Sequence, residues 1–441
     1  MVPEFLAAGR FHHPFGVESV KDDCPGVSLA KLALPPATVL HPFGIACRMT
    51  TKIPLVPKRQ RPASIRFRMT LCRAVLLLLS LVATAPLSRA EENTVVLNIE
   101  PTKEHPRNSE GSFVRLKSGR ILFYYSQFYG GAEDGSAARI AAIHSDDSGR
   151  TWSAPEVVLE NTAGNNVMSV TLLRLASGRL AFFYILKNSW LDARPYVRFS
   201  TDEAATWSEP KLVVAAPGYF VLNNDRVVQL SSGRLVAPVA FHRSRLDDPH
   251  SAKSFDGRAI DLWYYSDDEG QTWQQSWSWW GIPVNSNSGL QEPGVVELAD
   301  GQLFSWARTD QGVQYGFSSA DHGKDWTAPA PTELKSPTSP ASIKRLPDSS
   351  NLLAIYNDHS GRFPFPPKRR APLVAAISTD NGLTWPKAKL IEEDLNGWYC
   401  YTAMYFVDDA VLLAYCAGDD KVGGLNRLRI RRITLDWLPT K

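Results

Sequence analysis

The chain has 441 residues, 44% of them hydrophobic and 21% charged, with a formal net charge of +3. The first 90 residues hold 12 of the 48 basic and 4 of the 45 acidic residues, leaving 36 against 41, a net of −5 over residues 91–441. The basic balance therefore belongs to the leader, and the rest of the chain gives no argument for nucleic acid or an anionic membrane as partner.

From Met69 the sequence reads MTLCRAVLLLLSLVATAPLSRAEEN. A basic start at Arg73, an apolar run from Ala74 to Ala85 and small residues at Ser88 and Ala90 follow the order of a secretory signal over 69–90. The run is short for a bilayer span, and an uncleaved anchor is the alternative. The expectation is a leader over 1–90, no stable membrane span after cleavage, and a secreted or periplasmic protein over 91–441. Only Cys400 and Cys416 lie in that part. They either pair in an oxidising compartment or fill two small buried positions.

Along residues 91–441 two signals alternate. Apolar stretches meet at a turn at Ser118-Gly119, Ser177-Gly178, Ser232-Gly233, Asp300-Gly301, Asp348 to Ser350 and Asp408-Asp409, the pattern of six β-hairpins. After each of the first five comes a box: SDDSGRTW at Ser145, STDEAATW at Ser200, SDDEGQTW at Ser266, SADHGKDW at Ser319 and STDNGLTW at Ser378. The Trp-to-Trp steps are 55, 66, 53 and 59 residues, a repeat architecture. A third strand fits between hairpin and box and a fourth after it, so each unit is a four-stranded antiparallel sheet. The fold class is all-β, and six such sheets make a six-bladed β-propeller. The sixth unit ends without a box, and TVVLNIE, from Thr94, is expected to supply its outer strand and close the ring. An open or linear repeat is the alternative. Ala204 replaces the box glycine in the second repeat, predicting a distorted turn there.

Strand direction puts the hairpin turns and boxes on one face. The opposite face collects Asn165 and Asn166, then Asn223, Asn224, Asp225 and Arg226, then Glu292, Tyr399 and Tyr401 at the entries to inner strands. Loops on that face add Glu133, Asp134, Lys187, Asp192, Arg308, Asp310, Asp358, His359, Arg369 and Arg370. This convergence argues for a central polar pocket. No His/Cys or clustered carboxylate spacing of a metal-site type occurs, so neither a catalytic metal nor another cofactor is expected.

With these residues in place, the sequence resembles the sialidase (neuraminidase) superfamily, in particular bacterial sialidase-like proteins with BNR or Asp-box repeats, over essentially all of 94–438. The resemblance implies an Asp acid/base before the third strand of the first blade, where AEDGSAARIAAIHS offers Asp134. It implies a Glu at a later blade entry, Glu292 in QEPGVVEL, and an Arg after that hairpin, Arg308 in SWARTD. Arg370 in RRAPLVAAIS fits a further carboxylate-binding Arg, and Tyr401 in WYCYTAM the nucleophile, with Tyr399 as fallback. The family's first-strand Arg has no evident counterpart: Ser109, Glu110 and Gly111 stand about where it belongs. Arg226 is a candidate replacement, with Asn224 and Asp225 beside it.

The activity this implies is exo-acting removal of terminal sialic acid from glycoconjugates by a monomer. A neutral phenol can approach an anomeric carbon that bears a carboxylate, where a carboxylate nucleophile is repelled. A phenol with an ordinary pKa of about 10 needs Glu292 as its base. Asp134 needs a raised pKa to protonate the leaving oxygen. A hydrolase or lyase acting on another acidic sugar, and a non-catalytic glycan-binding propeller, are the alternatives.

Overall fold

The computed structural model describes residues 92–439. The leader and signal expected over 1–90 lie outside the described residues. What is described is strand, turn and two short 3-10 segments, as alternating β-branched and aromatic residues between Gly-containing turns dictate. All six hairpins form. Arg107–Arg115 pairs with Ile121–Phe128, Asn166–Arg174 with Leu180–Lys187, Gln291–Glu297 with Leu303–Arg308, Ser342–Arg345 with Leu352–Asn357 and Trp398–Val407 with Ala410–Gly418.

The hairpin at Ser232-Gly233 is different. Its first strand is broken into Tyr219–Val221 and Val228–Gln229, both paired to Leu235–Ser244. Tyr219 also bridges Ala193 in parallel, so the second and third units share one nine-stranded sheet instead of forming two separate four-stranded ones. The other four sheets have four antiparallel strands each. In the last of them Asn93–Ile99 lies antiparallel to Leu428–Thr434 as the outer strand. Among the described residues no helix is long and apolar enough to cross a membrane.

Apolar side chains from facing sheets fill the space between consecutive units. Val114 and Tyr124 meet Leu172 and Phe182; Val236 and Trp263 meet Val295 and Phe317; Phe304 and Trp306 meet Ile343 and Val374. The last unit packs Leu412, Ala414 and Ile430 against Phe113 and Phe123 of the first. Each fully buried Val, Leu or Phe contributes about 1.5–3 kcal/mol.

The boxes are internally bonded turns. In the first, the Ser145 hydroxyl donates to Asp147 at 2.8 Å and accepts from the Gly149 amide at 2.9 Å, and Asp147 also accepts from the Thr151 amide and hydroxyl. Trp152 then packs on Phe113 and Phe123. The distortion expected of the second box does not occur. Ala204 adopts φ 70°, close to the 84° of Gly149, and its amide keeps the 2.9 Å bond to Ser200. The Ser and Asp bonds hold that turn against the steric cost of a Cβ in the left-handed region. Turn arginines pair with box carboxylates, as Arg120 does with both oxygens of Asp146, so charge on this face is engaged locally.

The inner strands share a departure from regular pairing. In four of them one extra residue is inserted against the partner strand, between Ser109 and Ser112, Met168 and Thr171, Gln291 and Gly294, and Cys400 and Ala403. Each bulge holds one non-glycine residue at positive φ: Glu110 (55°), Ser169 (59°), Glu292 (51°) and Tyr401 (58°). Asp225 (57°) lies in the gap of the broken third strand. Such conformations cost about 1–3 kcal/mol each and persist only where surrounding contacts enforce them. Gly111, beside the first bulge, is required by packing, because a Cβ there would lie 2.2 Å from the Phe123 ring.

One buried charge-bearing side chain stands outside this pattern. Asp261 is wholly buried, and among the described residues neither of its carboxyl oxygens finds a hydrogen-bond partner. Burial pushes its pKa well above the ordinary carboxylate range, so the native state holds it neutral. A raised acid weakens the native state as pH rises above the unfolded-state pKa, by about 1.4 kcal/mol per pH unit until the folded-state pKa is passed. Asp261→Asn removes that term. Thermal unfolding should show a midpoint advantage for the variant that widens from pH 4.5 to pH 8; an advantage constant across that range contradicts this account.

Candidate active site

A bulge breaks the alternation of a regular strand and re-aims the side chain it carries. Glu110, Ser169, Glu292 and Tyr401 all line one cavity, together with Asp134, Arg308 and Lys187. Met168, Ile185, Tyr219, Val221 and Phe255 form its apolar wall.

On one side stand three groups from two sheets. The Tyr401 hydroxyl donates to Glu292 Oε1 at 3.1 Å. Arg308 Nη1 lies 3.3 Å from the Tyr401 oxygen and 2.7 Å from Glu292 Oε2, while Arg308 Nε donates to Gln291. Burial raises the Tyr401 pKa, the Glu292 charge raises it further, and Arg308 and Arg370 oppose both. The phenol is neutral at rest, with an acceptor for its proton already in place.

On the other side Arg107 is buried beneath the Phe128 ring and gathers two carboxylates. Its Nη1 meets Asp134 Oδ1 at 2.6 Å and its Nη2 meets Glu110 Oε1 at 3.2 Å. Glu110 Oε2 also accepts from the Ser169 hydroxyl at 3.3 Å. Asp134 is 61% exposed and Glu110 4%. The pair titrates apart. Burial tends to raise Asp134, but Arg107, helped by Lys187 and Arg308, holds it below the usual range. Burial pushes Glu110 up to about 7 against the pull of Arg107, with Asp134 and Glu292 adding repulsion. The raised pKa that the acid role requires of Asp134 is thus found on Glu110.

Lys187 closes the floor. Its ammonium donates to the Asp134 carbonyl at 2.8 Å and sits 4.1 Å from the Trp190 ring centroid; burial lowers its pKa to about 8. His242 also lines the cavity, brought there by the long hairpin of Leu235–Ser244 and Phe255–Ser266. Burial drops it to about 4, so its ring is neutral.

The remaining residues singled out in the sequence lie elsewhere. Tyr399 is buried in apolar packing with Leu413 and Tyr415, away from the cavity. Arg370 is half-buried behind Tyr401, 5.3 Å from its ring centroid and 5.5 Å from that of Trp398, with Nη1 unpartnered. It borders neighbouring clefts and is not among the residues lining the cavity of Glu292 and Tyr401. Asn224, Asp225 and Arg226 also do not line it; their side chains hold neighbouring strands. Cys400 and Cys416 face each other across one hairpin as free, buried thiols. Among the described residues no three His, Cys, Asp or Glu side chains converge as metal ligands.

Sequence reasoning missed Arg107, Ser169 and His242, and did not give Glu110 a role. Arg107 was visible at the head of RNSEG, two residues before the place where an Arg was sought. A one-residue bulge shifts that register, and no composition signal marks it.

Residues 119–413 match the family model described as a BNR repeat-like domain. A sialidase of Micromonospora viridifaciens is 25% identical over 333 residues, covering 65% of this chain and 46% of that protein. A sialidase of Paraclostridium sordellii is 25% identical over 251 residues, covering 51% and 58%. The chain thus spans about half the length of the curated relatives it matches. Among solved structures, the intramolecular trans-sialidase of Ruminococcus gnavus superposes with a TM-score of 0.61 at 15% identity, over 78% of this chain and 98% of that one. A Dyadobacter fermentans protein of unknown function gives 0.61 at 18%, over 78% and 99%. These likenesses are of fold.

Arg107→Met tests the charge arrangement. It leaves a buried carboxylate without its partner, a loss of about 3–5 kcal/mol. The loss should be larger at pH 8 than at pH 5, where Glu110 is protonated and asks less of Arg107. Unfolding midpoints at the two pH values check this, and an equal drop at both would show that the ion pair is not the source.

Proposed function

The chain belongs to the BNR repeat-like domain family, and from that membership we propose that it is a sialidase-like glycoside hydrolase acting through Tyr401. In architecture the proposal is a six-bladed propeller closed by Asn93–Ile99. The apolar packing of the last unit on the first and the pairing of that strand with Leu428–Thr434 support it. Export as a secreted or periplasmic monomer rests on the signal-like order of residues 69–90 in the sequence.

The observation that carries the chemistry is the Tyr401–Glu292–Arg308 triplet facing the cavity. The phenol attacks the anomeric carbon as its proton passes to Glu292, 3.1 Å away. Arg308 bonds both partners and steadies the charge as it moves from one to the other. A proton donor for the leaving oxygen comes from the two carboxyls that share Arg107. Burial of the phenol in the wall keeps it neutral toward an anionic sugar until attack.

Terminal sialic acid is the substrate that the relatives suggest, with Arg308 in the cavity wall to meet its carboxylate and sialylated glycans as partners; Arg370, behind Tyr401, does not line the cavity. One observation favours a second substrate reading. Arg107, behind the cavity wall, is already neutralised by Glu110 and Asp134, and Arg308 by Glu292, so among the described residues Lys187 is the one cation lining the cavity without an ion pair to an acid. An acidic sugar whose carboxylate lies away from these paired cations, or a neutral sugar, would not have to compete with the internal acids. Release from sialosides compared with release from uronic-acid glycans separates the two. A glycan-binding propeller without turnover would bind in such assays and release nothing.

Tyr401→Phe removes the nucleophile and retains the ring in its wall. Turnover of an aryl α-sialoside should fall at least 1000-fold, on the order of what loss of a covalent nucleophile costs, with the unfolding midpoint within a few degrees of the parent. Activity like the parent's would sink the assignment.

A further inference from the structure

We propose that Glu110 is the proton donor and acceptor of this site, and that Asp134 is the fixed anion that holds Arg107 beside it. The inference rests on the glycosidase reading above and decides between the two carboxyls that reading left open.

The bulges point to it first. Glu292 and Tyr401 reach the cavity because each occupies the positive-φ position of a one-residue bulge in an inner strand. Glu110 occupies the same position of the same bulge in the first sheet, and Ser169 in the second. The backbone device that delivers the nucleophile and its base therefore delivers Glu110 as well. Asp134 arrives differently, on the exposed loop between the second and third strands of the first sheet.

The contacts separate the two acids further. The short bond of Arg107, 2.6 Å, goes to Asp134, and Glu110 receives the longer one at 3.2 Å and a 3.3 Å bond from Ser169. Among the described residues three carboxyls line the cavity, and Arg107 and Arg308 alone form ion pairs with them. Lys187 Nζ donates to a backbone carbonyl of Asp134. One carboxyl is in excess, and Glu110 is the most buried of the three and has the longest bonds. Arg107, Asp134, Glu292, Lys187, the Tyr219 phenol and the Cys400 and Cys416 thiols are the charged or titratable groups around it, and burial pushes it to about 7. Two acids whose surroundings drive them apart mark which gives up a proton and which stays ionised.

The steps balance. In the first, a bond forms between the Tyr401 oxygen and the anomeric carbon, and the bond from that carbon to the leaving oxygen breaks. The phenolic proton goes to Glu292 and the Glu110 proton to the leaving oxygen. In the second, water bonds to the anomeric carbon as the tyrosyl bond breaks; Glu110 takes the water proton and Glu292 returns its own to the phenolate. One water is consumed and one glycosidic bond is opened.

The test uses the full chain with Glu110→Gln and Asp134→Asn. Each is assayed on 4-methylumbelliferyl α-sialoside, whose leaving group needs little protonation, and on 3'-sialyllactose, whose leaving group needs it. A panel of other 4-methylumbelliferyl glycosides and matching disaccharides extends the comparison. Glu110→Gln should keep aryl-glycoside kcat/KM within about 10-fold of the parent. It should lose at least 100-fold on the disaccharide and lack the fall in activity above about pH 7. Asp134→Asn should lower both substrates in proportion and keep the alkaline fall. If Glu110→Gln does not fold, Glu110→Asp replaces it and should retain the alkaline fall while losing more on the disaccharide than on the aryl glycoside. The leaving-group signature appearing in Asp134→Asn and not in either Glu110 variant overturns the proposal and leaves the hydrolase intact. A parent protein inert on every glycoside of the panel overturns both.

Discussion

The cavity depends on a single backbone device, the insertion of one residue into the first strand of each of four hairpins. A β-strand alternates its side chains between two faces, and in stacked sheets both faces are occupied by neighbours. No regular inner strand can then send a side chain along its own axis toward the centre. A bulge with one residue at positive φ breaks the alternation and re-aims that residue. Glu110, Ser169, Glu292 and Tyr401 are all re-aimed this way, and the cavity they line is where four sheets each contribute one strained residue.

The device works only if the strain is held, and the polar core of the molecule holds it. The Ser169 amide donates to Ser126 and the Leu172 amide to Ser112, so each side of the second bulge is fixed by a hydroxyl of the first sheet. The first bulge is tied through its own acid, as Arg107 bonds Ser109 within the strand and Glu110 across the bulge. Charge is distributed with the same economy: Arg107 is shared by Glu110 and Asp134 and Arg308 pairs with Glu292, so each guanidinium at the cavity is already engaged by an acid. Whatever binds must compete with internal pairs or exploit the uneven protonation of its acids.

How much of this was legible follows from periodicity. The boxes repeat because each is a turn with its own hydroxyl, carboxylate and amide bonds, and such bonds need fixed residue types at fixed spacing. Hairpins are legible for the same reason. Glu292, Arg308 and Tyr401 could be picked out because short motifs around them resemble those of a family, and they meet in one wall. Arg107 and Glu110 could not be assigned, because a bulge changes register by one residue and its signal is only that a strand-end acid is followed by a glycine. His242 and Phe255 arrive from a hairpin whose length exceeds the repeat, and length alone does not say which way its end folds. Ala204 shows the opposite limit, where side-chain bonds override a backbone preference that the sequence advertises.

The segment 223–226 explains why convergence of polar residues overstated the number that face a ligand. It interrupts the third inner strand, which leaves its side chains unable to follow a pleat. Asn224 donates to the carbonyls of Gly111 and Tyr401, one beside each of two bulges in different sheets. Asp225 accepts from Ser112 and the Met404 amide and pairs with Lys344, and Arg226 donates to Ser342 and the Ala341 carbonyl. Burial lowers the Arg226 pKa to about 10, so it still carries its charge at neutral pH, but its guanidinium is turned to backbone and hydroxyl oxygens. Buried backbone groups must be satisfied, and carbonyls and amides of neighbouring first strands take these bonds. A broken strand with three polar residues in a row meets that need for the first, fifth and sixth hairpins at once. Polar residues near the axis therefore have two uses that sequence cannot tell apart, holding the bulges and facing the cavity, and the second is possible only because the first is met.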